Sequence, residues 1–151
     1  MKREDRAAAL FLEGYNCAQS VFGALAPELG LDQSAAMRLA SSFGGGVGRL
    51  RELCGALSGA LMALGLARGY DGPETGEVKA AHYALVRRAA AEFRRENGAV
   101  LCRELLGPGA EVGGTPAPRT AEFYASRPCL ACIRSAAAIA GRLMDERPET
   151  T

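Results

Sequence analysis

Leu53-Cys54-Gly55-Ala56-Leu57-Ser58-Gly59-Ala60-Leu61-Met62-Ala63-Leu64-Gly65-Leu66-Ala67 is the longest uncharged run in the chain. It falls short of the roughly 20 residues that a membrane-spanning helix needs. From Leu50 onward, Leu50, Leu53, Cys54, Leu57, Leu61 and Leu64 recur at helical spacing, while Gly55, Ala56, Gly59, Ala60 and Ala63 make a second face of small residues. Each glycine inside a helix costs about 1 kcal/mol relative to alanine, so close backbone packing or function must compensate. The run therefore reads as a buried core helix. Its small face fits a neighbouring helix of the same chain or a second copy in a homodimer equally well. Phe43-Gly44-Gly45-Gly46-Val47-Gly48-Arg49 introduces it, and a thiol, Cys54, stands at its start.

The surrounding segments repeat the helical period. Residues 4–13 place Ala8, Phe11 and Leu12 on one stripe, and Gly14 suits the left-handed residue that ends a helix. Asn16 with Gln19 three residues on is a capping box, so Cys17 takes the first position of a helix that runs through Val21, Phe22 and Leu25 to Pro27. Asp32 caps a third helix to about Phe43. The longest pattern, from Glu74 to Glu96, carries Val78, Ala81, Leu85, Ala89 and Phe93 on one side and ends at Asn97-Gly98. A short helix follows with Cys102, Leu105 and Leu106, and a last one opens near Pro128 and ends about Glu146, with Ile133, Ala136, Ala137, Ala140 and Leu143 inward. Between them, residues 107–120 hold four glycines and three prolines, which argues for a flexible surface loop. Neither an alternating strand pattern nor a fixed-period repeat occurs. The expectation is an all-α protein: one compact domain over 1–151, a bundle of about five to seven helices without a sheet.

The totals narrow the function. A chain of 151 residues can bury a core without covalent staples. The start, Met1-Lys2-Arg3-Glu4-Asp5-Arg6, mixes both charges and no export-type apolar core follows it, so the cytoplasm is the expected compartment. A net charge of +1 gives no general attraction for nucleic acid or anionic lipid, and neither a nucleic-acid partner nor a membrane span is expected. Five cysteines is an odd count, and a reducing compartment disfavours structural disulfides. Metal ligation or reversible thiol chemistry gains weight accordingly.

Cys17, Cys54, Cys102 and Cys129 each follow a glycine or proline that opens a helical pattern. A thiol at a helix start feels the unpaired amides, which favour the thiolate. Cys129-Leu130-Ala131-Cys132 is a CxxC whose second sulfur can reach the first within one turn, although the βαβ setting of thioredoxin-type motifs is missing. The bland reading of any one of these cysteines is a small core filler. No zinc-finger or ferredoxin spacing joins them, so a shared site requires the fold to bring them together.

Gly14-Tyr15-Asn16-Cys17-Ala18-Gln19, the glycine run into Cys54-Gly55-Ala56-Leu57-Ser58-Gly59, Cys102-Arg103-Glu104-Leu105-Leu106-Gly107, and Cys129 before Ile133-Arg134-Ser135-Ala136-Ala137 resemble the four landmarks of the C_GCAxxG_C_C family of redox-active bacterial proteins. The similarity covers nearly the whole chain. It implies that the family's four motif cysteines fall on Cys17, Cys54, Cys102 and Cys129, with Cys132 as an addition to the pattern. It further implies redox activity, through an iron-sulfur cluster or another thiolate-bound metal, and names no substrate.

Other candidates are weaker. Gly45, Gly46 and Gly48, with Arg49 and Arg51 adding charge, could cradle an anionic cofactor. The run lacks both the strand-linked G-x-G-x-x-G and the terminal Lys-Ser/Thr of a P-loop, so no nucleotide is expected and a turn that permits close packing is the simpler reading. His82 could donate a ligand or shuttle a proton, yet a lone histidine on an apolar face is more often a core-edge residue. The arginines at 87, 88, 94 and 95, interleaved with Glu92 and Glu96, read as a solvated helix face before they read as a docking surface. No triad context supports a hydrolase. The leading expectation is electron transfer to a redox partner through a metal held by Cys17, Cys54, Cys102 and Cys129. The alternatives are a metal-free dithiol protein in which Cys129 attacks and Cys132 resolves, and a helical scaffold with inert cysteines.

Overall fold

The computed structural model describes residues 1–73 and 75–146. They form eight α-helices: α1 (Arg3–Leu12), α2 (Cys17–Leu25), α3 (Gln33–Ala40), α4 (Gly55–Arg68), α5 (Gly76–Asn97), α6 (Cys102–Leu106), α7 (Ala121–Ser126) and α8 (Cys129–Asp145). There is no sheet among the described residues; one isolated antiparallel bridge joins Leu53 to Leu101. The all-α expectation stands. Helix α7 lies outside the periodic patterns, since six residues give too little repeat to read; Thr120 caps it by accepting the Phe123 amide at 3.1 Å. Glu74, where the longest helical pattern begins, lies outside the described residues. No helix among the described residues is long and apolar enough to cross a membrane.

Helix α4 sits at the centre, against α2 on one side and α8 on the other, while α1 covers α2 and α8 and α5 lies along α8. Its small face meets α2 of the same chain. A Cβ at Gly59 would stand 2.7 Å from the Ala18 carbonyl oxygen and 3.0 Å from Val21 Cβ, and one at Gly55 would stand 2.9 Å from the Phe43 oxygen and 3.2 Å from Cys17 Cβ. Backbone approach of this kind leaves no room for a methyl group. Around it Phe11, Val21, Leu25, Leu57, Leu64, Phe93, Ile133 and Leu143 are fully buried.

Three local features differ from the periodic reading. The helix begins at Gly55 rather than Leu50, so Leu50 is exposed and Cys54 is the N-cap residue. The third pattern ends in a 3-10 turn at Ser41–Phe43. In α5, Ala89 and Phe93 are buried but Val78 and Ala81 are exposed, because the first turns of this helix project beyond the core.

Candidate thiol site

The expected capping box forms: Asn16 Oδ1 accepts the Gln19 amide at 2.9 Å and Gln19 Oε1 accepts the Asn16 amide at 3.1 Å. That cap fixes the start of α2 and with it Cys17. Proline 128 precedes α8, so Cys129 is its first residue and Cys132 lies one turn further in.

Cys54 and Cys102 are positioned by backbone pairing. The Cys54 amide donates to the Val100 carbonyl at 2.8 Å, the Cys102 amide to Glu52 at 2.6 Å and the Arg103 amide to Arg51 at 3.2 Å. The preceding loop is wound left-handed: Gly45, Gly46, Val47, Gly48, Arg49 and Arg51 all have positive φ. Three of these are not glycine, and each non-glycine residue in that conformation costs about 1–2 kcal/mol. The turn is closed by amides of Gly48, Arg49, Arg51 and Glu52 donating to carbonyls of Ser42, Gly44, Gly45 and Gly46 at 2.8–3.2 Å. Such strain persists only where the surroundings fix it, and here it has a visible result. Arg51 is turned inward to 2 % exposure. Gly46 meanwhile lets the loop touch the thiol-bearing segment, for a Cβ there would lie 2.6 Å from Cys102 Cβ.

All five cysteines line one cavity of about 350 Å³. Gly45, Gly46 and Gly48 line it as well, with Arg49, Arg51, Arg119 and Arg127, and no aspartate or glutamate does so among the described residues. Cys17 and Cys129 are half-buried, whereas Cys54, Cys102 and Cys132 are buried. The thiols influence one another across the cavity, most strongly Cys17 with Cys129 and Cys54 with Cys132, and more weakly between those pairs and with Cys102. Cys17 lies beside Cys129, where its thiol stabilises the Cys129 thiolate. Cys132 stands likewise beside Cys54. The CxxC is thus divided between two pairs.

Within each pair the environments push the two thiols apart. Cys129 is lowered to about 7, first by the Cys17 thiol and then by the positive charges of Arg127, Arg119 and Arg51, against the opposing effect of burial. Cys17 is raised, because ionising it would remove the hydrogen bond to Cys129 and add a second buried charge. Cys54 is lowered by the Cys132 thiol, with help from the Ala56 and Leu57 amides at the start of α4. Cys132 is correspondingly raised. Cys102 is raised by burial, partly offset by Arg51, whose Nη1 lies 3.6 Å from its Sγ. Coupling of this kind favours one thiolate in each pair, a state from which thiol–disulfide exchange can start.

No three Cys, His, Asp or Glu side chains among the described residues are arranged to hold a metal ion. His82 does not line the cavity; its ring packs edge-on against Tyr70, 6.0 Å between centroids. Arg88 pairs with Glu146 at 2.6 Å, and Arg142 pairs with Glu92. Arg119 and Arg127 are cavity residues that sequence reasoning passed over. Arg119 donates to the Phe11 carbonyl at 2.9 Å and the Tyr15 carbonyl at 2.8 Å, and its guanidinium lies 4.2 Å from the Phe11 ring centroid. No local signal marks either one: Arg119 lies within the proline- and glycine-rich stretch with Glu122 three residues on, and Arg127 stands just before Pro128.

The family model for C_GCAxxG_C_C, described as "Putative redox-active protein (C_GCAxxG_C_C)", matches residues 15–143. The chain belongs to this family. No curated protein and no solved structure matches it. The segments that resemble the family's four landmarks converge on the cavity.

Proposed function

We propose that this member of the C_GCAxxG_C_C family is a dithiol/disulfide redox protein that works through two thiol pairs, Cys17–Cys129 and Cys54–Cys132. The observation that carries the reading is that all five thiols, none of them joined in a disulfide, line one cavity together with Arg49, Arg51, Arg119 and Arg127 and with no carboxylate among the described residues. Cys129, half-buried and lowered to about 7, is the attacking sulfur. Its thiolate attacks one sulfur of an acceptor disulfide, forms a mixed disulfide and expels the first thiolate. Cys17 then gives up its proton and attacks Cys129, forming the Cys17–Cys129 bond and expelling the second. Two protein thiols lose two electrons and two protons, and the acceptor disulfide becomes two thiols. Cys54 and Cys132, deeper in the cavity, are a second couple of the same kind.

The metal reading has in its favour that Cys17, Cys54, Cys102 and Cys129 share a cavity wall. The donor set as it stands does not fit it, because no three of these side chains are arranged to hold a metal ion among the described residues, and a thiolate centre requires three or four convergent donors. The function is accordingly derived without a metal.

The test is thiol mapping by mass spectrometry after mild oxidation of anaerobically purified protein, alongside its iron and zinc content. The expected result is a loss of two and then four protons, with peptides bridged as Cys17–Cys129 and Cys54–Cys132. A preparation with stoichiometric metal and no bridged peptides overturns the reading, as does bridging confined to Cys129–Cys132.

A further inference from the structure

The cavity is positively charged in a way that the thiols alone do not require. Arg51, Arg119 and Arg127 have no carboxylate partner among the described residues, and Arg49 has only a distant one, 4.0 Å from the exposed Glu111. Arg51 is the deepest. Its Nε donates to the Glu111 carbonyl at 2.8 Å and its Nη1 faces Cys102, while Nη2 is buried and finds no hydrogen-bond partner among the described residues. A buried guanidinium with an unpaired arm is costly unless an anion accompanies it.

The cavity volume of about 350 Å³ lies within the range of small-molecule sites. Ser41, Gly48, Gly114 and Pro116 at its wall are exposed, so it communicates with the surface. Apolar walls from Phe11, Leu105 and Phe123 suit an aliphatic body. We infer that the cavity binds a small disulfide bearing carboxylate groups, whose carboxylates are held by Arg51 and the neighbouring arginines while its sulfur is presented to the thiols. This rests on the dithiol reading above and names its acceptor. The chemistry is the exchange already written: the bound disulfide takes two electrons and two protons and leaves as two anionic thiols, and Cys17 and Cys129 become bonded.

The arginines also favour the Cys129 thiolate, and the test separates that role from ligand binding. Reduced full-length protein is mixed at low ionic strength with three small disulfides of similar size: the dianion 3,3′-dithiodipropionate, neutral bis(2-hydroxyethyl) disulfide and the dication cystamine. Each rate is divided by that of the same probe with a free model thiol at the same pH. The expected result is a normalised preference for the dianion over the dication of at least about tenfold, as charge-lined clefts give, which about 0.5 M salt suppresses. In Arg51→Gln the dianion-to-dication ratio falls, and in Arg88→Gln, on the outer face of α5, it does not. Equal normalised rates for the three probes on the unaltered chain overturn the inference and leave the dithiol reading standing, whether or not the Arg51 variant folds. So does an Arg51→Gln variant that slows all three probes by one factor, because its arginine then acts on the thiolate and not on the ligand. If none of the three oxidises the thiols, the dithiol reading itself fails and the inference with it.

Discussion

Arginine has two different settings in this molecule. At the end opposite the thiols, Arg3 bridges Glu28 at 2.6 Å and Asp145 at 2.7 Å, and Arg6 joins the same glutamate at 2.8 Å. Those charges cancel locally, and exposed or partly exposed pairs of this type contribute about 0–1 kcal/mol each. Around the cavity the same side chain meets backbone carbonyls, aromatic faces and a sulfur. There the charge is left to act on whatever enters. The contrast teaches that number of arginines says little, and that the presence or absence of a carboxylate beside each one decides whether it braces the fold or sets a local potential.

The largest effect that would break this contrast is on the loop that delivers Arg51. Gly46→Ala places a methyl 2.6 Å from Cys102 Cβ and 2.7 Å from the Glu52 amide nitrogen, at a φ of +70°. We expect a loss of about 2–4 kcal/mol from clash and left-handed strain together, read by denaturant unfolding. Gly59→Ala is the control at the α2–α4 contact. Its gain in helix propensity, about 1 kcal/mol, is outweighed by overpacking of about 1–3 kcal/mol, so it destabilises mildly and leaves thiol reactivity unchanged.

Next in size is the titration of Cys129. Its thiolate fraction rises with pH through about 7, so alkylation at pH 6 should run about tenfold slower than on the plateau. Cys17→Ala removes the stabilising thiol and moves that midpoint up; Arg127→Gln moves it up by less. A midpoint indifferent to both changes would show that the pair is not coupled. Smallest is Arg134→Ala, which breaks the exposed 2.7 Å pair with Asp5 and should shift stability by less than about 1 kcal/mol without touching the thiol titration.

The helices were legible because their apolar positions repeat and their caps are local. Asn16 with Gln19, Asp32 before α3 and Gly98 at the end of α5 each act within a few residues, and each behaves as its type dictates. The cavity was legible only in part. Cysteines after helix-opening residues pointed to a common site, but which sulfur faces which depends on how α2 and α4 dock against α8. The glycine run read as a turn for close packing, and it is one; its target is Cys102 on a segment paired through Leu53 and Leu101, a contact between residues far apart in sequence. Arg119 and Arg127 were invisible because nothing local distinguishes an arginine stacked on Phe11 or Phe123 from a solvated one.

The order of the four paired sulfurs along the chain is 17, 54, 129, 132, so bonds Cys17–Cys129 and Cys54–Cys132 would interleave. Two interleaved rings cannot be closed by neighbours in sequence finding each other. They require the first turn of α8 to be seated between α2 and α4 beforehand. The folded chain is then the template for its own oxidation, and an unfolded chain given the same oxidant would close the short Cys129–Cys132 ring instead.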